Sequence, residues 1–174
     1  MTLEHLAHVE ISQREPKPMT FHSRGYVLES GASLEELDMG GGSVLALRVT
    51  GDESDGRVTV IEGVVHRGGP PLHVHDDEDE VVVVIDGQLA YKVGDESGVL
   101  GPGGLLWMPR AVPHAIAQVG PEPCRFVTIV TPAGIEDFFR AQRDYLASLP
   151  AGDMADLATV DGADKRPVVG PPLT

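Results

Sequence analysis

Two histidines one residue apart, followed by a glutamate, give this chain most of a divalent metal site. They stand in GGPPLHVHDDEDEVVVVIDG, residues 68–87, as His73, His75 and Glu80. Side chains alternate along a strand with period two, so His73 and His75 point to one side, roughly 6–7 Å apart along the backbone. A fourth donor must come from another strand, and His114, in GGLLWMPRAVPHAIAQ, is the well-placed candidate. Neutral imidazole with a carboxylate suits one divalent transition metal, Fe, Ni, Mn, Co, Cu or Zn, and the donors do not choose among them. A structural zinc site closed by four donors is the competing reading. Donors on strands facing a lumen, rather than on a knuckle of loops, favour an open position for water, a substrate oxygen or dioxygen.

The elements that must hold these donors read as all-β. From Tyr26 onward short apolar-rich pieces alternate with turn residues, which predicts strands at 25–29, 43–50, 57–65, 71–75, 80–86, 88–93, 98–101, 105–108, 114–119 and 124–131. The separators include GGG at 40–42, GDESDG at 51–56 and DDED at 76–79. After Thr131 the period changes: Ile135, Phe138, Phe139, Gln142 and Leu146 fall at helical spacing, predicting an amphipathic helix of about a dozen residues that stops before Pro150 and packs on the barrel. The division is thus an N-terminal extension at 1–24, a β-barrel at 25–132, a helix at 133–149 and a Pro/Gly-rich tail at 150–174. The extension carries His22 and the pair His5 and His8, read as a solvated segment rather than a second metal pair. The tail holds a short helix near Met154–Val160, and Val168, Val169 and Leu173 are its candidates for docking on the body.

Composition excludes several function classes. The 174 residues suit one domain with tails, and 13 Lys plus Arg against 27 Asp plus Glu give a formal charge of −14. That balance argues against nucleic acid or an anionic membrane as partner, because phosphate contacts need clustered cations. Cys124 is the single cysteine, so an intrachain disulfide and a thiolate zinc site are excluded and a buried hydrophobe is expected. MTLEHLAHVEIS lacks a signal-peptide pattern and no apolar run approaches the roughly 20 residues of a membrane helix, so a cytoplasmic protein is expected. Gly40-Gly41-Gly42 lacks the Lys-Ser/Thr ending of a phosphate loop and reads as a turn. An EF-hand beginning at Asp76 fails because Val81 and Gly87 stand where glycine and glutamate are required. There is no GxSxG elbow, no HExxH and no well-placed Cys–His pair.

The donor spacings match a known pair of motifs. His73, His75, Glu80 and Gly87 fit the first without a spacing error, and Gly103, Pro109 and His114 fit the second, with Ala111 where a glycine usually stands. Over roughly residues 40–132 the chain resembles the cupin superfamily, which implies an antiparallel jelly-roll β-barrel with a C-terminal helix. It departs from the pattern at Arg67, where the leading glycine is expected, and at Gln118, where asparagine is common. Within the superfamily, PPLHVH…DEDE with Trp-Met-Pro-Arg and Val-Pro-His looks most like the small quercetinase-like cupins. That resemblance implies a flavonol-dioxygenase-like oxidoreductase acting on an enolisable aromatic, with Glu80 as both metal ligand and general base. The alternatives are a polyketide cyclase or other tailoring enzyme using the metal as a Lewis acid, and a non-catalytic cupin that binds a small molecule. A homodimer is expected from exposed edge strands.

Strand parity sketches the pocket. With Glu80 inward, Val82 and Val84 follow; with His114 inward, Ile116 and Gln118 follow. Tyr91 and Trp107 are further lining candidates. Such a lumen is apolar apart from the metal and Gln118, which suits an apolar or aromatic small molecule. Asp76, Asp77, Glu78 and Asp79 read as a solvated hairpin turn, with Arg110 at the rim.

Overall fold

The computed structural model describes residues 25–150 and 155–173. His5, His8, His22, the extension at 1–24 and Met154 lie outside the described residues. The strands are β1 (Glu35–Asp38), β2 (Val44–Val49), β3 (Thr59–Val65), β4 (Pro71–His73), β5 (Asp79–Asp86), β6 (Gln88–Val93), β7 (Glu96–Leu100), β8 (Leu105–Met108), β9 (His114–Val119), β10 (Cys124–Thr131) and β11 (Val168–Pro172). They form two antiparallel sheets, ordered β1-β2-β3-β10-β5-β8 and β11-β4-β9-β6-β7. Leu89 of the second sheet joins Val82, Val84, Leu106, Cys124 and Phe126 of the first in one buried cluster between them. Cys124 is buried, as expected of the single cysteine.

Two strands differ from the expected pattern, and both differences have a topological cause. Residues 25–29 do not form a strand; Val27 is 85% exposed. The edge beside β2 is taken by Glu35–Asp38, whose own residues favour strands poorly. It is delivered there by the tight Gly40–Gly42 turn, with Met39 N donating to Ser43 O at 2.9 Å and Ser43 N to Gly40 O at 3.0 Å. A short connection makes hairpin pairing the cheap choice, and it outweighs the greater β-propensity of Tyr26-Val27-Leu28. The second difference is β11, in the Pro/Gly-rich tail, which pairs with β4. An edge position tolerates its prolines, since one side of the strand donates no ladder bonds.

The expected turn at 51–56 contains a one-turn helix, α1 (Gly51–Ser54), with Thr50 as N-cap and Glu53 reaching back to the Thr50 N–H at 2.9 Å. That reciprocal capping box was written in the sequence as Thr-x-x-Glu. The helix α2 (Ile135–Ser148) buries Ile135 against Leu37, Leu47, Ile61 and Val130, with Phe139 packed beside them. Among the described residues no helix is long and apolar enough to cross a membrane.

Glu136 ties this end of the molecule together. It is 4% exposed, and its carboxylate accepts from Gly51 N at 2.7 Å, from Gly134 N at 2.9 Å and from the Thr59 hydroxyl. Burial pushes its carboxyl upward, but those bonds together outweigh burial and hold it below its ordinary 4.5. Glu136→Ala leaves three donors without their acceptor and is expected to cost about 3 kcal/mol. A group held low stabilises the fold above its unfolded value and loses that contribution as the pH falls through the folded one. Thermal melts of the wild type and Glu136→Gln should therefore differ most above the ordinary carboxyl value of 4.5, and the gap should narrow as the pH falls below it; a gap that does not narrow refutes the assignment.

Candidate metal centre

The donors come from three places on the two sheets. His73 ends β4, His75 lies just beyond it, and His114 opens β9 directly opposite His73 in the antiparallel register. Glu80 lies on β5, in the facing sheet. The three imidazoles crowd together, with ring centroids 4.6–4.9 Å apart. One ligand nitrogen of each lies within 4.8 Å of the others. Glu80 stands at the side of this group, its Oε2 3.9 Å from His114 Nε2.

Hydrogen bonding on the far side of two of the rings fixes their tautomers. His73 Nδ1 donates to Pro71 O at 2.8 Å and His114 Nδ1 to Val112 O at 2.9 Å, and a carbonyl can only accept. His75 Nδ1 faces the Glu78 carboxylate at 3.3 Å. His73 and His114 thus carry the hydrogen on Nδ1 and a lone pair on Nε2, and the carboxylate beside His75 Nδ1 favours the same tautomer there. His73 Nε2 and His75 Nε2 are only 3.0 Å apart, and His114 Nε2 is buried without a partner. Burial holds all three imidazoles below their usual range, His75 down to about 2 and His114 to about 4. Converging lone pairs that resist protonation fit a soft or borderline cation. Burial, and then the nearby Glu78, push Glu80 up to about 7, against the opposing pull of Arg166.

The site opens on a cavity of about 540 Å³. Ile116 and Gln118 line it, as parity predicted, but the other pocket candidates do not. Val82 and Val84 point inward and are consumed by the core, at 0% and 1% exposure. Tyr91 packs half-buried against that same cluster. Trp107 is on the outer face: β8 pairs Glu80 with Met108 and Val81 with Trp107, so Met108 takes the inward position and Trp107 is 50% exposed. Gln118 has its amide nitrogen committed to the backbone. Its amide nitrogen donates to the carbonyls of Val119, Gly120 and Glu122 at 2.7–3.1 Å, holding the turn after β9.

Several wall residues went unread. Phe126 and Thr128 follow from the parity of β10, whereas Phe138 and Phe139 come from α2, which reaches the cavity as well as the core. The acidic run is not a uniformly solvated turn. Only Asp76 and Asp77 are exposed. Asp79 receives Arg110 through its backbone N–H, Nε and NH2 at 2.8–3.1 Å, and these bonds hold its carboxyl down at about 2. Glu78 is buried and paired with Arg166, which is itself buried and reaches the cavity wall from the tail. No local signal marks that pair.

Residues 60–130 match the family model described as Cupin domain. No curated protein matches the chain significantly. Among solved structures, the chain is similar to an RmlC-like cupin from Shewanella frigidimarina NCIMB 400, at 19% identity and TM-score 0.52, over 68% of this chain and 99% of that one. It is also similar to KdgF from Halomonas sp., at 16% identity and TM-score 0.51, over 59% of this chain and 90% of that one. At such identities the likeness concerns the fold.

Proposed function

We propose, starting from the cupin fold and the cupin domain at residues 60–130, that this protein is a metal-dependent oxidoreductase, a quercetinase-like dioxygenase acting on a flavonol-like or other enolisable aromatic molecule. The observation that carries the reading is the convergence of three imidazole lone pairs, beside a buried carboxylate, at the wall of an aromatic-lined cavity. His73, His75, His114 and Glu80 would hold the ion, with His73 and His114 fixed by their carbonyl partners. When bound, such a metal would supply Lewis acidity and, where it is a redox-active member of the series, a redox partner for dioxygen.

The chain's own residues do the rest. Phe126, Phe138 and Phe139 offer aromatic walls to a flat substrate, and the cavity lies in the usual size range for small-molecule sites. Glu80 is the group placed to take the substrate's hydroxyl proton. Burial raises its carboxyl to about 7 without the ion, and a coordinated dication would pull it down again, so Glu80 would meet the substrate as a carboxylate able to accept the proton. The surrounding apolar side chains keep water from the ionised substrate.

Elemental analysis of the purified protein, followed by oxygen uptake across a panel of flavonols and polyketides, tests the reading. Glu80→Gln is expected to retain metal and to lose turnover by about 10²–10⁴-fold. Substrate consumption without oxygen uptake would replace dioxygenation by Lewis-acid tailoring chemistry. Full turnover by metal-free protein would remove the metal from the reaction altogether.

A further inference from the structure

The segment after α2 does more than cover the cavity. Its backbone docks on the strand that ends at His73 and on the residues just beyond it that include His75: Val168 stands opposite His73 in the β4–β11 register. Val74 N donates to Pro167 O and Asp76 N to Lys165 O, both at 3.1 Å. Those two bonds bracket Arg166 on one side and His75 on the other. Arg166 is 7% exposed and is held from three directions: by Glu78, by the Gly162 carbonyl at 3.1 Å, and by the Phe138 ring, 5.0 Å below its guanidinium. Glu78 in turn presents its other oxygen, Oε2, to His75 Nδ1. His75 Nδ1 is buried and has no hydrogen-bond partner, so Glu78 is the acceptor within its reach.

We propose that Arg166, carried into place by the C-terminal strap at 165–168, is a positioning residue of the metal centre: it pins the Glu78 carboxylate, and Glu78 orients His75. The inference rests on the metal-centre reading of the three histidines. A carboxylate behind a ligating histidine fixes the ring and raises its basicity, and removing such a partner typically weakens metal binding about 10–100-fold. Glu78 cannot do this alone. It adjoins the exposed Asp76 and Asp77, and without its cation a buried carboxylate is drawn outward to water, away from His75. Repulsion between Arg166 and a bound dication opposes this effect but is the smaller one, because Arg166 and Glu78 form a pair of near-zero net charge.

The test is a visible-absorption titration with Co²⁺ alone, on full-length wild type, Arg166→Gln, Glu78→Gln, the double variant and Arg166→Lys. Each single Gln variant is expected to bind about tenfold more weakly, with a shifted ligand-field band. The double variant should match Glu78→Gln to within about twofold, because Arg166 acts through Glu78. Arg166→Lys, which keeps a cation beside Glu78, should recover most of the affinity. Wild-type affinity and spectrum in Arg166→Gln would overturn the inference while leaving the metal centre standing. So would an equal further loss from Arg166→Gln in the Glu78→Gln background, since that marks a contribution to the fold alone. A wild type that takes up no Co²⁺ sinks both readings. If Arg166→Gln does not fold, Glu78→Gln and Arg166→Lys decide: wild-type binding by the first, or tenfold loss in the second, overturns it.

Discussion

His114→Ala is expected to abolish stoichiometric metal binding. The apparent binding free energy of a four-donor site, roughly 10–16 kcal/mol, shared equally gives about 3 kcal/mol per donor, or about a hundredfold in affinity. His114 should exceed that share. It faces His73 across the β4–β9 register, its Nε2 has no other partner, and its Nδ1 is committed to Val112, so no neighbouring side chain can substitute. The check is metal per chain after dialysis, together with melting temperature with and without added metal. A metal that binds only the folded state stabilises it by mass action, so the wild type should melt higher when loaded and the variant should not respond. Comparing each protein with itself removes the cost of the cavity left by the imidazole. A variant that keeps one metal per chain would place the centre elsewhere.

Gly69→Ala is expected to be the most damaging glycine-to-alanine change among the described residues. A β-carbon at Gly69 would lie 1.8 Å from Ile116 O, 2.8 Å from Ile116 C and 2.9 Å from Ala117 Cα, all of them backbone atoms that cannot rotate away. The strand it would displace is β9, which begins with His114 and carries Ile116 and Gln118 into the cavity. The neighbouring Gly68 O receives Gln118 N at 2.7 Å, so the two backbones are already bonded at closest approach. Overpacking of this kind costs about 3 kcal/mol or more, a fall of about 6–12 °C for a chain of this length, and should weaken metal binding as well. Gly68→Ala is the matched comparison. Gly68 has φ +60° with open space around its Cα, so only left-handed strain is charged, about 1 kcal/mol. Melting curves that rank Gly68→Ala as the worse variant would refute the steric account.

The same pair shows how far sequence reading extends. Arg67 stands where the motif expects glycine, and the close backbone approach falls instead at Gly69. Ala111, the other departure, adopts the left-handed φ of +62° that a glycine would take freely, and its N–H still reaches His75 O at 2.8 Å. Trp107 was misplaced for a different reason. Parity within β8 is legible, but which parity faces inward depends on the Glu80–Met108 register with β5.

The sequence by itself determined the grouping of His73, His75 and His114, the all-β class, the helix after Thr131 and the inward parity of Ile116 and Gln118. These depend on local periodicity and spacing, which the chain carries wherever it folds. Only the tertiary structure decided what stands behind the donors. Glu78 and Arg166 are 88 residues apart and meet because the tail adds a strand beside β4. Phe138 and Phe139 belong to the cavity because α2 packs across it. Contacts at that separation leave no periodic trace: each partner alone reads as a solvated charge or a helix face, and burial by the other is what gives it a role.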